Sequence, residues 1–168
     1  AAAGVAPGDP VFARARIFVG RCQNPDRGFF YSPVVVDANK AGQEGTQYRS
    51  YGTATADGVL ALQAMGVTPD DERLRCARQW LVAHDRPDGA PGFIGPAYQR
   101  WATGMRFYYA GVGAEALGRC SRELAASLIL SERRDGSWRN LETVGKEDDP
   151  LIATSLAVNA LVRAAAQR

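Results

Sequence analysis

Carboxylates are the residues in this sequence best able to do acid chemistry. Two places hold them. Glu147-Asp148-Asp149-Pro150 is a short acidic run, and Asp57 stands alone in the nearly uncharged stretch SYGTATADGVLALQAM. A carboxylic acid delivers a proton at neutral pH only where burial or a neighbouring charge keeps it protonated. For the acidic run a local role is available: Asp149 precedes a proline suited to the first turn of a helix, and Asp148 adds negative charge at that helix's positive end. Asp57, inside a buried helix, needs a partner for its charge, and Arg49 or Arg106 would supply one.

Other chemistry finds less support. One histidine, His84, and three cysteines spread along the chain, Cys22, Cys76 and Cys120, do not make a metal-ligand spacing, so no metal and no cofactor are expected. The cysteines read as small buried apolar residues. His84 falls at a helix end, where a favourable interaction with the C-terminal carbonyls accounts for it. Ser50 lacks a base nearby in sequence, and no phosphate loop or dinucleotide fingerprint occurs. Aromatics remain. Tyr51 opens one buried helix and Phe107-Tyr108-Tyr109 lies within another; with Trp101 they are candidates to line the mouth of a cavity, since ring faces attract cations. Packing with bonded hydroxyls is the plainer role for them.

The elements that would position these residues are helices. Asp9-Pro10, Thr68-Pro69 and Asp149-Pro150 each pair a capping side chain with a proline at the first helical position. Gly66 and Gly118 sit where helices should stop. Between these marks the apolar period predicts helices over 10–22, 50–65, 69–84, 103–117, 119–132 and 150–166, with loops between them and no strand. They are of two kinds. Segments 69–84 and 119–132 are amphipathic, whereas 50–65, 103–117 and 150–166 are rich in Ala, Gly, Ser and Thr and should be buried on most sides. The two kinds alternate. With 168 residues, 46% hydrophobic, 23% charged and a net charge of +2, the chain reads as one folded domain over 1–168. No basic cluster marks a nucleic-acid partner and no apolar run is long enough for a membrane span. The opening AAAGVAPGDP has neither the basic start nor the apolar stretch of an intact signal peptide, and the compartment is unspecified.

A turn recurs at intervals of about 50 residues, the sign of a helical repeat. Its copies are Gln23-Asn24-Pro25-Asp26-Arg27-Gly28-Phe29, Asp85-Arg86-Pro87-Asp88-Gly89-Ala90-Pro91-Gly92-Phe93 and Glu132-Arg133-Arg134-Asp135-Gly136-Ser137-Trp138. Acidic-glycine pairs turn the chain sharply, and the aromatic is expected to fold back as a plug between helices. These turns resemble the repeat motif of the terpenoid-cyclase and protein-prenyltransferase superfamily, Gln, two residues, then Asp-Gly-Ser-Trp. Gly28-Phe29-Phe30-Tyr31-Ser32-Pro33, Arg49 to Gly58, and Asp148-Asp149-Pro150 with Leu151-Ile152-Ala153-Thr154 are similar to bacterial proteins with prenyltransferase and squalene-oxidase repeats.

The resemblance implies an all-α fold, an α/α toroid with inner and outer rings of helices, of which this chain would form about half, roughly six helices. It implies that the buried helices are inner and the amphipathic ones outer. It also implies a search for the Asp-x-Asp-Asp acid of class II cyclases, which Glu147-Asp148-Asp149 lacks at its first position. No catalytic set is therefore expected. A ligand, if bound, should be apolar or extended and lie at the inner-helix ends near Tyr51, Asp57, Trp101, Tyr108, Tyr109, Asp148 and Asp149. The rival expectation is a scaffold that completes its ring with another copy or with chain outside these residues, because a half ring leaves apolar faces wet.

Overall fold

The computed structural model describes residue 6 and residues 8–166. Most of the opening segment read above for a signal peptide lies outside the described residues. Seven helices are present among those described: α1 (Pro10–Arg21), α2 (Gly52–Ala64), α3 (Glu72–His84), α4 (Pro96–Gly104), α5 (Arg106–Leu117), α6 (Arg122–Leu130) and α7 (Pro150–Ala165). Their starts follow local chemistry. Asp9 accepts a hydrogen bond from the Val11 N–H at 2.8 Å, with Pro10 at the first position, and Asp149 repeats the arrangement with Leu151 at 2.8 Å. Gly66 and Gly118 have φ of 73° and 66° after α2 and α5, the left-handed geometry that stops a helix without a Cβ clash.

Four expectations need correction. First, α3 does not begin at Pro69 under Thr68. The Asp71 carboxylate accepts from the N–H groups of Arg73 and Leu74 at 2.9 and 3.4 Å, while Thr68 only accepts a turn bond through its carbonyl; a carboxylate at the positive helix end outcompetes a hydroxyl three residues earlier. Second, residues 85–102 are not all loop. Pro96–Gly104 forms α4, which makes seven helices rather than six, and the helix expected over 103–117 breaks at Met105 (φ −116°, ψ 22°). The break coincides with a crossing chain: a Cβ at Gly104 would meet a Val144 methyl carbon at 2.5 Å, so only glycine admits that loop. Third, the loop before α2 contains a small antiparallel hairpin, β1 (Gln43–Glu44) against β2 (Gln47–Tyr48), with Gln43 opposite Tyr48. Two residues per strand are too few to show an alternating pattern. Fourth, Cys76 is half-buried, whereas Cys22 and Cys120 are buried as expected; all three are free thiols, and burial pushes Cys120 up to about 11.

The helices pack in two layers. Helices α2, α5 and α7 lie side by side in that order; α1 packs on α2, α3 bridges α2 and α5, and α6 packs on α7. The low-charge helices thus neighbour one another, but α7 is not buried on most sides as expected. Only its Ala153, Ala157 and Ala160 are buried, while Leu151, Ile152, Val158 and Val162 are exposed, because among the described residues its main packing is against α5 and α6. Small residues allow the close approach: Ala110 and Ala114 of α5 share a core with Ala153, Ala157 and Ala160 of α7, all essentially inaccessible to solvent. On its outer side that core is closed by Leu124 and Leu128 of α6 and by Trp138. A second core under α1, α2 and α3 holds Phe29, Val59, Leu62, Leu74, Trp80, Leu81 and Phe93.

All three turn aromatics are plugs. Phe29, Phe93 and Trp138 are 2%, 4% and 6% exposed. Two of them share a detail the sequence did not disclose. The Phe29 N–H donates to Thr55 Oγ1 at 2.9 Å and the Trp138 N–H donates to Thr154 Oγ1 at 3.0 Å, so a threonine early in the following low-charge helix receives each turn. Gly58 lies directly beneath the Phe29 ring, where a Cβ would come within 2.8 Å of it.

Candidate functional site

Helix α2 places Asp57 one and a half turns from its start, and α5 places Tyr108 in its first turn. The Tyr108 hydroxyl donates to both carboxylate oxygens of Asp57, at 3.0 and 3.1 Å, tying α2 and α5 together. Tyr51, the residue before α2, and Tyr31, in the loop after α1, complete the group. Burial, then the negative charge of Asp57, raises both Tyr51 and Tyr108 well above the ordinary tyrosine range. Tyr31 adds to the rise at each. Water reaches the Asp57 side chain, yet the surrounding protein desolvates it enough to raise its carboxyl, and the Tyr108 hydrogen bond opposes that rise.

Asp57 also borders a cleft of about 180 Å³ between α1 and α2. Phe18, Phe29, Phe30 and Tyr31 form its aromatic lining, and Ala54, Gly58 and Ala61 leave the α2 side open by being small. Neither arginine expected beside Asp57 pairs with it. Arg49 lies 3.8 Å from Glu44 in the hairpin, and Arg106 donates to Ser127 and Ser131 of the α6 region. The hairpin holds Arg49 away, and α6 captures Arg106 from the opposite side of α5.

The remaining candidates lie elsewhere. Tyr109 points from the next position of α5 into the core, where its hydroxyl donates to Asp85 at 3.2 Å. Trp101 sits on α4 with the Lys40 ammonium 5.5 Å above its ring. Among the described residues no hydrogen bond or ring contact links it to Tyr51, Asp57 or Tyr108. Asp149 caps α7, and Asp148 is half-buried, its carbonyl accepting from Arg139 at 3.0 Å. Of the seven candidates, three converge: Tyr51, Asp57 and Tyr108.

The acidic run does contain a buried carboxylate, one residue before the pair singled out from sequence. Glu147 is fully buried and accepts from the N–H groups of Phe107 and Tyr108 at 3.0 and 2.6 Å and from the Asn140 side-chain amide at 3.1 Å. It caps α5 just after the break at Met105, from forty residues away in sequence. Burial raises its carboxyl, opposed by these hydrogen bonds and by the nearby Arg106 charge. No local pattern marks such a cap, because donor and acceptor meet only through the fold. With all its near donors belonging to the backbone and an amide, Glu147 is a structural group.

A second cleft, about 260 Å³, opens at the loop end between the hairpin and α3, beside Asp26, Tyr48, Arg49, Trp80 and His84. Its central carboxylate is already occupied. Asp26 accepts from Ser50 Oγ at 2.7 Å, the Gly28 N–H at 3.0 Å and Trp80 Nε1 at 3.2 Å. His84 stacks on Trp80 at 4.1 Å with Nδ1 on the Trp80 carbonyl at 2.8 Å, as its helix-end position implied. Among the described residues no group of three or more His, Cys, Asp or Glu side chains could hold a metal ion. Nor is any helix long and apolar enough to cross a membrane. Comparison with protein-family models, curated proteins and solved structures returns no match to this chain.

Proposed function

We propose that this chain is an α/α toroid-type repeat domain, similar to the terpenoid-cyclase and prenyltransferase superfamily, that binds an apolar small molecule in the cleft between α1 and the middle of α2. The two-layer order of low-charge and amphipathic helices supports the repeat reading, as do the three buried turn aromatics. The observation that carries the binding reading is the aromatic cleft between α1 and α2, open to solvent and floored by Ala54, Gly58 and Ala61 rather than filled by larger side chains. Apolar walls around a concave space favour a ligand by the surface they remove from water. Titration with the neutral fluorescent probe N-phenyl-1-naphthylamine tests it. Saturable binding that disappears in Ala61→Phe, with helix content unchanged by circular dichroism, is expected. Binding that Ala61→Phe leaves intact, or no saturable binding, overturns the reading.

A second reading, a scaffold that completes its ring with another copy, is favoured by one specific feature. Helix α7 carries Leu151, Val158 and Val162 along one exposed stripe, 79%, 43% and 60% accessible, at the outer end of the inner row. These residues recur at helical spacing and meet no further helix among the described residues. Sedimentation of the wild type against Val158→Lys tests it: a wild-type monomer at every accessible concentration rules it out.

A further inference from the structure

We infer that the α1–α2 cleft takes an organic cation, a quaternary or protonated amine carried on a compact apolar body, with its charge on the Asp57 carboxylate. This rests on the cleft being the ligand site proposed above and names the ligand's class.

Three observations lead there. The cleft lining is almost wholly apolar, and Asp57 is the one carboxyl group on it. Asp26 and Glu147 each accept from three donors, Asp9, Asp71 and Asp149 serve as helix caps, and Asp85, with one hydroxyl donor, does not line the cleft. Asp57, in contrast, has a single hydroxyl hydrogen shared between two oxygens. A carboxylate offers about four acceptor positions, so most of its capacity is free. Among the described residues no Lys, Arg or His forms an ion pair with it. The Asp57 side chain meets water on one side and the apolar cleft on the other. A cation seated in the cleft supplies a countercharge that no ion pair among the described residues provides. Finally, Phe18, Phe30 and Tyr31 present rings within the same cleft. Ring faces attract a cation, and most strongly a weakly hydrated one whose methyl groups also bury apolar surface. An inorganic cation would gain from the carboxylate but not from the walls. A neutral apolar molecule would gain from the walls and leave the carboxylate unpaired. An anion would be repelled.

The test compares benzyltrimethylammonium with its uncharged isostere neopentylbenzene, by calorimetry at low ionic strength, on the full chain. The cation is expected to bind about tenfold more tightly than the isostere. Asp57→Asn should erase that difference while leaving the isostere's affinity within about twofold. Raised salt should weaken only the cation, because the carboxylate reaches solvent. Selectivity between the two compounds is the readout that a merely structural Asp57 would not move. Should Asp57→Asn fail to fold, Tyr108→Phe serves instead: it removes the competing hydroxyl, and cation affinity should hold or rise. Equal binding of both compounds, insensitive to Asp57→Asn, overturns the cation inference and leaves an apolar site standing. Failure of both compounds to bind, or binding that Ala61→Phe does not block, overturns the site itself.

Discussion

Replacing Glu147 probes the least expected contact in the molecule. In Glu147→Ala the buried Phe107 N–H and the part-buried Tyr108 N–H lose their acceptor at the start of α5. A buried donor left unsatisfied costs about 1–3 kcal/mol, so two backbone donors amount to about 2–6 kcal/mol. A domain of this kind has about 5–15 kcal/mol in total. A loss of about 3 kcal/mol lowers Tm by about 6–12 °C at this chain length. Glu147→Gln keeps the volume and one carbonyl acceptor but turns an amide donor toward a backbone donor, for a loss of about 1–3 kcal/mol. Urea unfolding followed by circular dichroism reads both. The pH dependence adds a second check. Burial raises the Glu147 carboxyl above its ordinary 4.5, so the folded chain holds that proton to higher pH than the unfolded chain. Its contribution to stability is therefore full below the ordinary value and is lost as pH rises through the raised one. Asp57 is raised by the same cause and slopes the same way, so the quantity to read is the difference between wild type and Glu147→Gln. Asp88 and Asp135 are lowered, by Arg86 and by Ser137, and their contributions are lost as pH falls, below the window that belongs to Glu147. A Glu147→Ala protein within about 1 kcal/mol of wild type would refute the capping role, and an unchanged slope in Glu147→Gln would refute the raised carboxyl.

Three further outcomes are expected from the contacts around the turn aromatics. Thr55→Val removes the acceptor of the buried Phe29 N–H at constant volume and should cost about 1–3 kcal/mol in chemical unfolding; Thr154→Val should cost less, because its partner at Trp138 is only part-buried, and the reverse order would contradict the equivalence of the two turns. Trp138→Ala should cost about 3–5 kcal/mol, from the vacated core volume and from the Leu128 carbonyl that loses the indole N–H at 2.8 Å. Gly58→Ala should cost about 1–3 kcal/mol because the new methyl meets the Phe29 ring, and a neutral result by thermal melting would mean that the ring shifts freely.

Much of the architecture was legible in the chain itself. Asp9, Asp149, Gly66 and Gly118 ended or began helices where they were expected to, because capping is decided within four residues of the backbone it serves. The division into low-charge and amphipathic helices foretold which would neighbour which, since a helix with small residues all round can pack closely on several sides. The fates of Phe29, Phe93 and Trp138 followed from the turns that carry them. Tertiary structure alone decided the rest. Pro96–Gly104 became a helix separate from α5 where a distant loop crosses at Gly104. Asp57 met a tyrosine and not an arginine, because Arg49 and Arg106 were drawn to partners on other elements. Glu147 found its donors forty residues away. Local backbone preferences act over one turn of helix and are written in neighbouring residues; the pairing of buried charge depends on which elements the fold brings together.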